Sequence, residues 1–358
     1  MYYQVWHKNT KVLDVKKEGI TVLCEKKLPF DLRHYNEIGY QEFLVWLTSR
    51  ISTLSRTYMN QLYKQRRIGR SQEAILNDSA AISPIDLFWI TRDDLAHTWD
   101  SLQILRDESM STAKASLEGV IDPNVMFGKK DDHTSIFSTK GAFPKAVYKG
   151  SILKKGSNAE YEVVGAAIGS HLGIDVANAY VTENNVVYCD LFTSNKIGLV
   201  HASEYLYSSR KDIEDNIYED ALKAFVTNPT ITRQLERLFI LSYLVQNNDL
   251  HGENFGWLYD NETFEILAVA PAYDFNAAFE TWDGLDMYDS YIYANLNTFL
   301  NNNPDLVAKL GTLKLVLEKD VFLNREQKQR LMERASYLIT LFTKSNEDDD
   351  FLYSTQFR

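Results

Sequence analysis

The residues with the clearest chemical potential follow a strongly apolar segment, residues 231–245, whose length indicates a buried helix. Asp249 comes just after that segment, and Asn254 follows five positions later in a polar stretch. In phosphoryl transfer an aspartate at this spacing accepts the proton of the attacking hydroxyl, and the asparagine binds Mg²⁺. Because Asp and Asn are common loop residues, the spacing alone leaves an ordinary loop equally open.

A second candidate metal ligand, Asp274, stands at the end of an apolar run. Residues 257–259 and 264–267 flank a polar turn and predict a hairpin that delivers the chain to Asp274. Mg²⁺ prefers oxygen ligands and keeps waters and phosphates in its shell. Asn254 and Asp274 would therefore supply the protein oxygens of such a site.

Phosphoryl transfer also needs a cation on the nucleotide and an acid that holds the cation in place. Lys154 lies on a predicted strand, and Glu162 opens the helix that follows. Lys155 and Glu160 compete for these two roles. An exposed strand lysine and a first-turn glutamate favoured by the helix dipole would look the same, so this pair carries weight only beside the other residues.

A short turn with hydroxyl groups and a glycine precedes the predicted lysine strand, at residues 137–145. The backbone N–H groups of such a turn can point at phosphates. The turn has a single glycine and is not a Walker A sequence. In isolation an ordinary hairpin turn remains the alternative.

These residues must be positioned by strands and helices, and the order of the predicted elements indicates an α+β fold, sheet-rich in its first half and mostly helical in its second. Apolar alternation or periodicity predicts the elements. The predicted strands are 10–15, 19–24, 135–147, 151–154, 176–181 and 186–192, and the predicted helical segments are 38–65, 161–172, 231–245, 306–317 and 325–342. We expect an N-terminal subdomain at 1–120 for docking or scaffolding, a small lobe at 121–192 and a helical large lobe at 193–358.

Composition narrows the classes of function. The 358 residues are 45% hydrophobic and 24% charged, which is globular composition, and the formal charge of −11 argues against generic nucleic-acid binding. The two cysteines have no metal or disulfide spacing. No apolar run is long enough to cross a membrane, and no secretory leader is evident. The expected location is the cytoplasm.

These motifs together resemble one family. The stretch N-D-L-H-G-E-N-F at 248–255 resembles the catalytic loop N-x-D-R-H-x-x-N-F of HipA-like serine/threonine kinases, and P-A-Y-D at 271–274 resembles their metal-binding motif. Residues 138–145 resemble their phosphate loop. Two positions depart from the pattern: Leu250 replaces the arginine of the loop, and Asn276 replaces the glycine of Asp-Phe-Gly.

The resemblance implies a two-lobed, atypical protein-kinase-like fold that uses ATP and Mg²⁺. Asp249 would be the catalytic base, Asn254 and Asp274 would bind Mg²⁺, and Lys154 would contact the phosphates and pair with Glu162. A phosphate loop would cover the nucleotide, through Ser138, Thr139, Gly141, Ala142 and Phe143. Ser138 matches the position at which this family can autophosphorylate, and a phosphate there would repel ATP.

The expected function is phosphorylation of a serine or threonine in another protein. HipA-like kinases are often toxins paired with a separate DNA-binding antitoxin, and their substrates include translation factors. Two rivals remain: a nucleotide-binding pseudokinase, suggested by Leu250 and Asn276, and a small-molecule phosphotransferase with similar base and metal residues. A metallohydrolase is disfavoured because His251 has no second histidine at ligand spacing.

Overall fold

A computed structural model describes residues 2–50, 57–66, 69, 71–92, 97–103, 110–121, 144–156, 158–182, 184–207, 216–279 and 290–356. Within those ranges the strands form three antiparallel sheets, and helices surround them. The predicted α+β fold class is confirmed. No helix in the described part of the chain is long and apolar enough to span a membrane.

The first sheet is built by the N-terminal residues and has the strand order β3-β2-β1-β4. Its strands are β1 (Tyr3–His7), β2 (Thr10–Lys16), β3 (Gly19–Val22) and β4 (Phe88–Arg92). Between β3 and β4 lie the helices α1 (Phe30–Arg33), α2 (Tyr40–Ser49), α3 (Met59–Arg66) and α4 (Gln72–Ser79). After β4 come α5 (Trp99–Gln103) and α6 (Met110–Glu118).

The second sheet carries the predicted nucleotide lysine. Its order is β5-β6-β8-β7, with β5 (Lys145–Tyr148), β6 (Ser151–Lys154), β7 (Ala179–Val181) and β8 (Val187–Asp190). The helix α7 (Tyr161–Leu172) connects β6 to β7 and ends at Gly173. The φ of Gly173 is 69°, a conformation that glycine adopts without strain because it has no Cβ. The strand β6 and the helix α7 have the bounds that the sequence predicts.

The third sheet lies in the mostly helical second half and contains the predicted hairpin. It has the order β11-β10-β9, with β9 (Ile197–His201), β10 (Gly256–Asp260) and β11 (Ile266–Val269). The helices around it are α8 (Ala202–Leu206), α9 (Ile217–Ala224), α10 (Pro229–Val245), α11 (Ser290–Asn302), α12 (Asp305–Leu310), α13 (Lys314–Leu317) and α14 (Arg325–Gln356). The predicted hairpin is present as β10 and β11, and β9 pairs with β10 as the third strand of the sheet.

One hydrophobic core joins the N-terminal sheet to the third sheet and the surrounding helices. Phe30 packs edge-on against Tyr259 at 5.0 Å between ring centroids, and His7 lies 5.1 Å from Phe264. A smaller cluster joins Trp89 of β4 to Val147 of β5. The N-terminal region therefore packs on both of the other sheets. The predicted domain boundaries and the two-lobed arrangement remain predictions.

Candidate active site

The loop between α10 and β10 is tightly curled. After α10 ends, Gln246 adopts a left-handed conformation with φ 52°. The His251 N–H donates to the Asp249 carbonyl at 2.9 Å, and the Asn254 N–H donates to the His251 carbonyl at 2.8 Å. The side-chain amide of Asn254 then donates to the Asp249 carbonyl at 2.7 Å and to its Oδ2 at 3.2 Å. Because Asp249 accepts the hydrogen bonds of the Asn254 Nδ2 group, the Oδ1 atom of Asn254 remains available to a ligand.

Contacts from α8 and α9 anchor this loop. The Ser203 N–H and hydroxyl both donate to the Gly252 carbonyl, at 3.0 and 3.2 Å. The Tyr218 hydroxyl donates to the carbonyl of Leu250, whose side chain is buried. The leucine that replaces the family's arginine is therefore a core residue here. A charged side chain at this position would have to be buried, which is costly unless it finds a partner.

Asp274 occupies a strained bend directly after the third sheet. Its φ of 62° lies in the left-handed region, where a residue other than glycine carries a conformational cost. The bend is fixed by Phe275, whose N–H donates to Glu162 Oε1 at 3.1 Å. A Cβ on Gly165 of α7 would lie 2.4 Å from the Phe275 ring, so the missing side chain leaves room for that ring. The bend is thereby held against α7.

Lys154, Glu162 and Asp274 form a buried ion cluster. The Lys154 ammonium lies 2.6 Å from Glu162 Oε1 and 2.7 Å from Asp274 Oδ1. A second lysine, Lys145 of β5, lies 3.9 Å from Asp274 Oδ2. Lys155, the competing candidate, instead pairs with Glu118 at 2.6 Å in a half-exposed position. The structure brings Lys154 and not Lys155 to Glu162 and Asp274.

The ion cluster controls the protonation of its members. Burial alone would raise the pKa of Asp274, but Lys154 and Lys145 outweigh burial and hold the pKa of that carboxyl far below its usual range. Burial alone would lower the pKa of Lys154, and the carboxylates of Asp274 and Glu162 raise it instead. Asp274 is therefore ionised and Lys154 is charged at neutral pH, as a metal ligand and a phosphate-binding cation must be.

Two features of the site escaped sequence reasoning. Asn247 accepts the Asp249 N–H at 3.3 Å and donates to the Asp274 carbonyl at 3.4 Å, so it ties the loop to the bend. Lys145 adds a cation beside Asp274. Asn247 directly precedes the catalytic-loop motif and Lys145 ends the phosphate-loop motif, but their contacts span distant parts of the chain and have no spacing signature. His251 keeps its Nε2 3.6 Å from Asp249 Oδ1, at the exposed rim of the loop.

These residues line a single cavity of about 410 Å³. The lining includes Lys145, Lys154 and Glu162 together with Asp249, Asn254 and Asp274. The buried thiol of Cys189 also lines the cavity, and burial raises its pKa to about 12, with Glu162 adding to the shift. A thiol with that pKa is protonated and contributes shape, not reactivity.

The N-terminal region completes the cavity, which gives residues 1–120 a place in the site. Arg50 of α2 makes a bidentate pair with Asp86 at 2.6 and 2.7 Å and also donates to the Ala81 carbonyl at 2.8 Å. The segment around Asp86 is fastened to the rest by Thr193, whose hydroxyl donates to the Pro84 carbonyl at 2.6 Å. Arg50 therefore holds one wall of the cavity together.

The donor set fits a nucleotide-bound Mg²⁺. Asp274 contributes an ionised carboxylate, and Asn254 contributes an amide oxygen whose partner nitrogen is engaged elsewhere. No cluster of three His, Cys, Asp or Glu in the described residues could hold a metal by itself. A cation here would complete its shell with phosphate and water oxygens, which is the usual arrangement for Mg²⁺. The predicted phosphate-loop residues Ser138, Thr139, Gly141, Ala142 and Phe143 lie outside the described residues.

A strand lysine paired with a helix glutamate, in one cavity with an Asp–Asn loop, is the arrangement found in the protein-kinase class of folds. Residues 137–298 match the HipA-like C-terminal domain. The predicted resemblance to HipA-like proteins is therefore confirmed over these residues, which make up a little less than half of the chain.

Two solved structures are similar to the chain. A chain of the Shewanella oneidensis MR-1 toxin–antitoxin complex of HipA, HipB and operator DNA is 12% identical, with a TM-score of 0.58 over 96% of this chain and 97% of that one. The Helicobacter pylori proinflammatory kinase CtkA is 19% identical, with a TM-score of 0.46 over 58% of this chain and 94% of that one. The first likeness shows a shared fold across nearly the whole chain. No curated protein matches the chain.

Proposed function

We propose that the protein is a HipA-type serine/threonine protein kinase that transfers a phosphoryl group from Mg²⁺-ATP. The observation that carries this proposal is the placement of the Lys154–Glu162–Asp274 cluster and the Asp249–Asn254 pair in the lining of one cavity. Cation, metal oxygens and base are the parts that phosphoryl transfer requires.

Each side chain has a role that follows from its surroundings. Asp249 is half exposed at the cavity, so its carboxylate can accept the proton of an incoming hydroxyl. Lys154 is fixed by Glu162 and presents its ammonium to the phosphates. Asn254 and Asp274 would hold Mg²⁺, which neutralises negative charge on the transferring phosphoryl group when it is bound. Positioning and electrostatics then supply most of the rate enhancement.

Regulation and partners follow from the same family. We propose that Ser138 is autophosphorylated, which would add a charge of about −1.5 to −2 beside the nucleotide site and disfavour ATP. The Shewanella structure contains HipB and operator DNA besides HipA. By analogy, this chain would pair with a separate DNA-binding antitoxin and act on a protein substrate such as a translation factor, in the cytoplasm.

Nucleotide binding and phosphate transfer test this proposal separately. Calorimetry with the non-hydrolysable analogue AMP-PNP should show binding that Mg²⁺ strengthens, and the Lys154→Met variant should lose most of it. Labelled ATP should then phosphorylate either the protein itself or a serine- or threonine-bearing acceptor. Binding without any transfer would favour the pseudokinase, and transfer only to a small alcohol would favour the small-molecule phosphotransferase.

A further inference from the structure

Asn276 is a residue of the site to which the motifs assign no role. It stands two positions after Asp274, where kinases of the Asp-Phe-Gly type have glycine, and from sequence it looks like a defect. In the structure its side chain lines the same cavity as Asp274, Lys145 and Lys154. Its position needs a physical explanation because it lines the cavity that holds the predicted reacting groups.

The side-chain oxygen of Asn276 lacks a hydrogen-bond donor. Its Oδ1 atom is buried and has no partner among the residues that the structure describes. Buried amide oxygens nearly always have a partner, and leaving one without a donor costs stability. Asn276 lines the cavity while its oxygen is covered, so a turn of the side chain toward a bound ligand would give that oxygen its missing partner.

The backbone holds Asn276 where it is. The preceding residue, Phe275, is buried against Gly165, and its N–H donates to Glu162 Oε1 at 3.1 Å. Asp274 is held in turn by Lys154 at 2.7 Å. Because both preceding residues are fixed, the backbone of Asn276 is held at the cavity, and only its side chain is free to turn. The unsatisfied oxygen is a built feature of the site.

The chemistry of an amide oxygen limits what it can bind. It accepts hydrogen bonds and ligates hard cations, but it repels phosphate oxygens. We propose that Asn276 supplies a third protein oxygen, after Asn254 and Asp274, to the Mg²⁺ of the bound nucleotide, directly or through one of its waters. This inference rests on the proposed function. On this inference Asn276 determines cation affinity, and its presence at the position where other kinases have glycine is not a defect.

The test measures how strongly Mg²⁺ and nucleotide support each other's binding. For each variant, the Kd of AMP-PNP is measured by calorimetry in EDTA and in excess Mg²⁺, and the ratio of the two values reports the coupling. Asn276→Leu removes the oxygen at similar volume, and Asn276→Asp keeps an oxygen. Asn184→Leu, at an exposed turn outside the cavity lining, is the matched control.

Loss of a metal-supporting oxygen typically weakens metal affinity by about tenfold or more. We expect Asn276→Leu to lower the coupling ratio by about tenfold with the Kd in EDTA unchanged, Asn276→Asp to restore the ratio, and Asn184→Leu to leave it alone. The melting temperature of Asn276→Leu without ligand should equal or exceed that of the parent protein, because a buried unsatisfied oxygen is gone.

Two results would overturn the inference. The first leaves the proposed kinase function intact, and the second contradicts it as well. If the ratio is large in the parent protein, collapses in Asn254→Ala and persists in Asn276→Leu, the kinase proposal stands and Asn276 has no part in cation binding. If the parent protein binds no AMP-PNP, or binds it equally well with and without Mg²⁺, both proposals fail.

Discussion

Removal of the Lys154 ammonium tests the physical account of the ion cluster in isolation from catalysis. In Lys154→Met the carboxylates of Glu162 and Asp274, which now share one ammonium at 2.6 and 2.7 Å, are left facing each other in a buried site. Breaking a buried ion pair by removing one partner costs about 3–5 kcal/mol. Lys145 at 3.9 Å and the Phe275 N–H still support the carboxylates, so we expect the lower end, about 3 kcal/mol.

The assay is denaturant unfolding of the parent protein, Lys154→Met and Lys155→Met. Lys155 is the matched control because its pair with Glu118 is half exposed, and such pairs contribute roughly 0–1 kcal/mol. In Lys154→Met one carboxyl should take up a proton more readily than in the parent, since like charges without a cation raise a carboxyl pKa. The deficit of Lys154→Met should therefore shrink as the pH falls from 7 toward about 5.

In the parent protein, by contrast, lowering the pH removes stability that the ion cluster provides. The folded-state pKa of Asp274 lies below its usual value, so its contribution to stability is complete above that usual value and is lost only as the pH falls through the folded-state pKa. A Lys154→Met protein as stable as Lys155→Met, with the same pH dependence as the parent, would refute this reasoning.

Three further predictions concern other parts of the molecule. Asp249→Asn should lower phosphate transfer by about 10²–10⁴-fold while leaving AMP-PNP affinity in place, and equal turnover would remove Asp249 as the base. Gly256→Ala should abolish soluble expression or unfold the protein, because its Cβ would lie 2.1 Å from the Val200 carbonyl; a well-folded variant would contradict the close approach. Burial lowers the pKa of His7 to about 4, so stability should be lost as the pH falls from about 6.5 to 4, and His7→Phe should flatten that slope in pH-dependent thermal melts.

Local patterns predicted the elements that carry the nucleotide residues. The helix α7 could be placed because its apolar period is regular and Gly173 stops it in the left-handed conformation. The strand β6 could be placed because Gly150 marks the turn before it and a polar stretch follows. The Lys154–Glu162 contact then follows from the order of strand and helix in this family.

Where an apolar pattern fits more than one secondary structure, the predicted bounds of the element were wrong. The predicted helix at 306–317 is two short helices, Asp305–Leu310 and Lys314–Leu317, because a turn at Gly311 buries the same leucines as one continuous helix would. The predicted strand at 176–181 is reduced to Ala179–Val181, with a single parallel bridge from Val176 to Ala272. Such long-range pairing has no local signal.

The site was only partly predictable for the same reason. The spacing of Asp249 and Asn254 reflects contacts within one loop, which a sequence records directly. The placement of Lys145 and Asn247 beside Asp274 depends on how a strand, a loop and a bend from different parts of the chain meet. The cavity wall made by Arg50 and Asp86 depends on packing of the N-terminal region and carries no motif.

The most direct test of the central claim is the intact mass of the purified protein after incubation with Mg²⁺-ATP, beside Asp249→Ala and Ser138→Ala. The account predicts one added phosphate in the parent protein, none in Asp249→Ala, and loss of the modification in Ser138→Ala. An unmodified parent protein that also fails to bind AMP-PNP and to transfer phosphate to any acceptor would contradict the assignment of this cavity to phosphoryl transfer.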